Sequence, residues 1–242
     1  MPKPFARRWA VPTCVFVPVK SAEQQAVLAL HRTREGFVTE RTAVINRIRA
    51  LLTEFGVSLA QRPEAVRRQA LSYAETLPLL ARRMLEDLRS HLTLLDEKVA
   101  AYDRELEAQA RLSEPAQRLM GIRGIGPLTV LAIVASVGNA RDFKSGRQFA
   151  AWLGLTPRQH SSGGKNRLGD IAKRGDAYLR GLLVQGARAA LHTAARHTDR
   201  MSRWALSVQG RRGYRRALVA IAAKNARIAW ALLSKNEALR PA

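Results

Sequence analysis

The chain has 242 residues, enough for one or two domains, and 47% of them are hydrophobic, so a packed core is available. Lys and Arg number 41 against 19 Asp and Glu, a formal charge of +22, which goes far beyond what solubility requires and calls for a polyanionic partner. The single cysteine, Cys14, excludes a disulfide framework within the chain and argues against thiolate zinc sites.

Residues 1–20 carry Lys3, Arg7 and Arg8 ahead of a short apolar run, Trp9 to Val17, broken by Pro12. That run is too short and interrupted for a secretory signal. It reads as an irregular arm or the remnant of a truncated N-terminal domain. No uninterrupted apolar run reaches the roughly 18 to 20 residues that span a bilayer, so no membrane partner is expected.

Residues 21–112 read as a helical and coiled-coil region. Ser21 is a candidate N-cap for a helix reaching Phe55, with Glu23, Gln24 and Gln25 in its first turns. Val38, Ile45, Ile48, Leu52 and Phe55 recur near the helical period, although Gly36 weakens or splits the element. Gly56 ends it, and a loop with a short helix containing Pro63, Arg67 and Arg68 follows. From Leu77 to Gln109, the residues Ala81, Leu85, Leu88, Leu92, Leu95, Val99, Tyr102 and Leu106 form a heptad seam. Two partners for it stay open: another helix of the same chain, or a second copy in a dimerising coiled coil, which would make the protein a homo-oligomer. Eight acidic and five basic residues between Glu75 and Ala110 make this arm mildly acidic, so it is not expected to be the main DNA surface.

Residues 113–242 read as a compact domain of short helices separated by glycine turns, with no stretch alternating cleanly enough to suggest a sheet. Ser113 caps a new helix with Pro115 in its first turn. Gly121-Ile-Arg-Gly-Ile-Gly-Pro127 then resembles the helix-hairpin-helix module of DNA repair and recombination proteins. The amides that open its second helix are free to hold a phosphate, with Gly124 and Gly126 as contact points. The other reading is a plain turn in which Ile122 and Ile125 fill the core. Phe149, Trp152 and Leu153 can share one helical face.

A serine-bearing glycine loop follows, Arg158-Gln-His-Ser-Ser-Gly-Gly-Lys-Asn-Arg167, leading to Gly169-Asp-Ile and Lys173-Arg-Gly-Asp176. Arg158, Lys165, Arg167, Lys173 and Arg174 make it a candidate phosphate-binding loop. A serine hydroxyl needs a base or an electrostatic field to act as a nucleophile, and nothing in the sequence fixes His160 in that role. The pattern is neither a P-loop nor a Gly-x-Ser-x-Gly elbow. Further on, nine basic residues and one acid fall between Arg196 and Arg227. Arg211, Arg212, Arg215 and Arg216 form the densest cluster, around Tyr214, and suit phosphate recognition. Trp204 and Trp230 read as core residues. The last helix is expected near Arg215 to Leu233.

The glycine hairpin at Gly121 to Pro127, then Phe149-Ala-Ala-Trp-Leu-Gly-Leu-Thr-Pro-Arg158, Ser161-Ser-Gly-Gly-Lys165, Gly169-Asp-Ile171, Lys173-Arg-Gly-Asp176 and Leu179-Arg180, in this order, resemble the C-terminal domain of transposases of insertion-sequence family 110, also named after members 116 and 902. Val17 to Ala26 and His31 to Glu35 resemble the stretch that follows that family's N-terminal domain. The resemblance implies DNA cleavage and rejoining through a covalent serine–DNA intermediate, with Ser162 as nucleophile and Ser161 as the nearest alternative. It implies double-stranded DNA and a structured guide RNA as partners, and Mg²⁺ bound by a RuvC-like domain with four acidic residues. No stretch of this sequence matches that RuvC-like domain, so a truncated copy is expected, with no metal site or cofactor of its own.

The expected fold is thus mainly α: a long heptad-patterned helical arm plus a compact helix-hairpin-helix-type domain. The expected function is DNA transposition, in a cytoplasmic, nucleoid-associated protein. The competing function is a non-enzymatic DNA- or RNA-binding protein with a dimerising arm. A membrane-surface protein is the weakest reading, because the basic residues gather at glycine turns.

Overall fold

The computed structural model describes residues 20–161, 164, 165, 167–237 and 239. Two compact units divide the chain. One is Leu28–Ala108, and the other comprises the described parts of Met1–Val27 and Gln109–Ala242.

Helix α1 runs Ala22–Glu54 without a break at Gly36. Its start is a reciprocal capping box: the Gln24 amide donates to Ser21 Oγ at 3.2 Å, and Gln24 Oε1 accepts from the Ser21 amide at 3.0 Å. In the Leu28–Ala108 unit, Val44, Ile45, Ile48 and Leu52 of α1 are buried in one cluster with Ala81, Leu85, Leu92 and Leu95 of α3, which spans Leu79–Leu112. Polar and aromatic pairs fix an antiparallel register. Arg34 pairs with Asp103, the Phe37 and Tyr102 rings meet edge to face at 5.4 Å, and Arg41 reaches Asp96 at 3.3 Å. Helix α2, Pro63–Gln69, and a 3-10 stretch, Ala70–Thr76, close the end of this pair, and Arg67 also bonds Asp96 at 2.7 Å.

The seam is therefore covered from within the chain. The apolar area that called for a second copy is already buried on α1, and the expected dimerising contact loses that motive. Phe55, placed on the α1 stripe by its spacing, is instead 44% exposed.

The second unit packs around α9, Tyr214–Lys235, which is flanked by α4 (Glu114–Leu119), α6 (Gly146–Trp152), α7 (Ala177–Thr193) and α8 (Arg200–Arg212). Helix α5, Pro127–Val137, packs on α4 and α7. By length and composition α9 could cross a bilayer. Here it is a core helix: Ala217, Leu218, Ile221, Ala222, Ala226 and Ala229 are buried. It also carries buried Asn225 and the cations Arg215, Arg216, Lys224 and Arg227.

Caps follow the sequence closely. Ser113 accepts from the Ala116 amide, Ser145 from Gln148, and Asp176 from Leu179. Phe149 and Leu153 are fully buried, and the Phe149 ring stacks on Trp152 at 5.7 Å while Phe143 abuts both.

The expectation of no sheet fails. Between α6 and α7 lies a two-stranded antiparallel sheet, β1 (Pro157–Gln159) with β2 (Leu168–Ile171), pairing Pro157 with Ile171 and Gln159 with Leu168 across an irregular register. Its strands are short and almost wholly exposed. They lack the apolar–polar alternation that burial of one face imposes, so the sequence carries no strand signal.

Candidate nucleic-acid interface

The base of the β-hairpin is built from backbone in contact with backbone. Gly154 adopts φ +70°, and a Cβ there would meet the Arg174 carbonyl oxygen at 2.2 Å. Gly175, at φ +101°, leaves its Cβ position 1.9 Å from the Trp152 carbonyl oxygen. Only glycine fits such contacts at such angles. The Ala172 amide donates to Thr156 O at 2.8 Å and the Lys173 amide to Gly154 O at 3.2 Å. Lys173 takes a left-handed φ of 54°, a conformation that costs a side-chain-bearing residue roughly 1–2 kcal/mol. Arg180 of α7 donates to the Leu153 carbonyl at 3.3 Å and ties the base to the helical core.

The outer end of the ladder closes at Ser161. The His160 amide donates to Arg167 O at 2.8 Å. Ser161 Oγ accepts from the Arg167 amide at 3.2 Å and from Gln159 Nε2 at 3.1 Å. The Ser161 hydroxyl thus joins the two sides of the loop. Ser162, the residue matched to the family's nucleophile, lies outside the described residues. His160 is exposed, with its Cδ2 about 3.5 Å from where a Cβ on Gly169 would stand.

Five of the expected phosphate contacts share this hairpin. Arg158, Lys165, Arg167, Lys173 and Arg174 are all exposed. Arg158 donates to the Ala172 carbonyl at 3.4 Å and leaves the rest of its fork to solvent. Strand pairing brings Arg158 beside residues fourteen positions away, a proximity that loop composition could not reveal.

The glycine hairpin is a tightly held turn. Ile122 and Ile125 are buried, at 4% and 5% exposure, as the plain-turn reading expects. Gly124 has φ +80°, and its Cβ position falls 2.3 Å from the carbonyl oxygen of Gly186 in α7. Gly186 returns the contact, its Cβ position lying 1.8 Å from the Gly124 carbonyl oxygen. Asn225, 1% exposed on α9, donates from Nδ2 to the Arg123 carbonyl at 2.9 Å. Arg123 pairs with Asp199 at 3.2 Å. Gly124 is thus turned toward α7, whereas Gly126, which precedes α5, is exposed with open space beside it. Gly186 and Asn225 escaped the sequence reading. The signal for Asn225 was weak, a neutral polar residue between Lys224 and Ala226 on the expected last helix, and Gly186 gave none.

The Arg211–Arg216 cluster forms the corner between α8 and α9, where Gly213 turns the chain at φ +80° and all six residues are exposed. Trp204 and Trp230 are half-buried rather than core, and Trp230 Nε1 donates to the Ala140 carbonyl at 2.9 Å. Among the described residues no group of three His, Cys, Asp or Glu side chains is placed to hold a metal ion.

Comparison with known proteins gives this architecture a class. Residues 116–202, which include the glycine hairpin, the β-hairpin and α7, match the family described as "Transposase IS116/IS110/IS902 family". The chain is 48% identical over 235 residues to a "Probable family 20 transposase" of Pseudomonas aeruginosa, covering 95% of this chain and 70% of that protein. It is 44% identical to the "Transposase for insertion sequence element IS1111A" of Coxiella burnetii, with 93% and 63% covered. It is 37% identical to the "Transposase for insertion sequence element IS1328" of Yersinia enterocolitica, with 93% and 68% covered. The chain belongs to the IS116/IS110/IS902 transposase family. It spans roughly two thirds of the length of these relatives.

Proposed function

We propose that this chain grips DNA for insertion-sequence transposition and presents a loop serine to the scissile phosphate. The observation that carries the reading is the exposed set of Arg158, Lys165, Arg167, Lys173 and Arg174 on a hairpin whose base packs backbone against backbone at Gly154 and Gly175. Family membership supplies the DNA. Cations already placed around a phosphodiester neutralise it with little reorganisation at the moment of reaction. Open backbone at Gly126 ahead of α5 suits a second backbone contact of the helix-hairpin-helix type.

In the proposed chemistry, Ser162 Oγ attacks phosphorus and displaces a deoxyribose oxygen. The serine then holds the strand end as a phosphodiester until an oxygen of the partner strand takes its place. Ser161, joined to Arg167 and Gln159, positions this loop and does not attack. Double-stranded DNA is the proposed partner, at the nucleoid, with a structured guide RNA as the second.

The decisive measurement is covalent trapping on a suicide substrate carrying an element end, with the chain supplied alone and together with a full-length relative. Ser162→Ala should abolish the trapped adduct. Ser161→Ala should lower its yield and keep it detectable. An adduct that survives Ser162→Ala and vanishes with Ser161→Ala would reverse the assignment.

A further inference from the structure

A second group of cations stands away from the hairpin in sequence and gathers where α8 packs on α9. The Lys224 ammonium lies 4.0 Å from the centroid of the Trp204 ring. Arg200 opens α8 one turn before Trp204, and Arg227 follows Lys224 by one turn on α9. Burial first, then the charges of Arg200 and Arg227, hold the Lys224 pKa below its usual value. Among the described residues, none of these three cations pairs with a carboxylate. Asp199, next in sequence to Arg200, is already engaged. Its carboxylate takes Arg123 at 3.2 Å, the Ser202 hydroxyl at 2.7 Å, and the amides of Met201 and Ser202 at 3.0 Å.

This arrangement is unfavourable in the free chain. Like charges repel, a half-buried ammonium gives up hydration, and Arg200 stands at the positive end of a helix dipole. The indole face offsets part of that cost. What the cluster lacks is an anion, and in a chain of charge +22 the anion with the most to gain is a nucleic-acid phosphate.

We propose that Arg200, Lys224 and Arg227, backed by Trp204, form a phosphate-binding subsite for the nucleic-acid backbone, additional to the hairpin. The proposal rests on the nucleic-acid reading above and extends the bound footprint to the surface where α8 packs on α9. The subsite positions a strand and does not read its sequence. Trp204 then serves to hold the ammonium in place, which explains why this tryptophan is only half-buried.

The test is the salt dependence of binding to a short DNA duplex of arbitrary sequence. Lys224→Gln should make the plot of log affinity against log salt shallower by about one phosphate, and the triple change of Arg200, Lys224 and Arg227 to Gln by up to about three. Lys224→Arg should keep the original slope. In NMR titrations the Lys224 ammonium should move back toward its ordinary pKa when the duplex is saturating. A triple variant with the unaltered slope, or a Lys224 titration indifferent to duplex, overturns the subsite and leaves the hairpin reading standing. Should the triple variant fail to fold, the pair Lys224→Gln and Lys224→Arg decides. A parent chain that binds no nucleic acid at any salt concentration removes both proposals.

Discussion

Gly181 and Gly186 sit five residues apart on α7 and are chemically identical, yet their substitution should have opposite effects. Gly181 is exposed and has nothing within 4 Å of its Cβ position. Alanine there gains helix propensity and should stabilise by roughly 0.5–1 kcal/mol. At Gly186 the same methyl group would meet the Gly124 carbonyl oxygen at 1.8 Å. That carbonyl belongs to a turn held by Asn225 and buried Ile125, so it cannot retreat, and Gly186→Ala should cost about 1–3 kcal/mol or more. Urea unfolding of both variants checks the pair; equal signs would mean the turn is not pressed on α7. His31 gives a pH-dependent counterpart. Burial, then the neighbouring Arg34 charge, pushes its pKa down to about 4. Between the unfolded value near 6.5 and about 4, the unfolded chain binds the proton more readily. Stability from this group is therefore complete above pH ~6.5 and is lost as pH falls toward 4. His31→Leu should flatten that part of the stability profile. Of the residues that build the sites, the exposed cations were legible in the sequence because their chemistry is local. Gly186 and Asn225 were not, because their roles exist only against backbone 62 and 102 positions away.

At the scale of elements, the helices announced themselves. Ser21, Ser113 and a near-unbroken heptad seam delimit α1, α4 and the long α3. A period of 3.5 shows that one face is buried but not what buries it. The answer lies in the Arg34–Asp103, Phe37–Tyr102 and Arg41–Asp96 pairs, which align α1 against the seam. Leu85→Ala should therefore lower stability by roughly 2–5 kcal/mol without changing the molar mass measured by light scattering. A variant that halved the mass would show the seam to be shared between copies. The β-hairpin is the opposite case. Three- and four-residue strands with exposed faces leave no periodic trace, so a ribbon that mounts five cations reads from sequence as a loop.

For the molecule as a whole, the surplus of cations is distributed unequally in function. On the α8–α9 corner Arg211 and Arg212 lie in the last turn of one helix, where the dipole favours them, while Arg215 and Arg216 open the next, where it does not. All four are exposed. Changing them together to Gln should make the salt dependence of DNA binding shallower by up to about four phosphates, and an unchanged slope would remove this corner from the interface. The charge, the helical class and the ordered motifs of the family were readable from the chain alone, because composition, capping and helical period are properties of near neighbours. Which surface covers the seam, which glycines are pressed by distant backbone, and where Lys224 meets Trp204 were settled only by the tertiary structure, because each depends on residues that are far apart in sequence coming into contact.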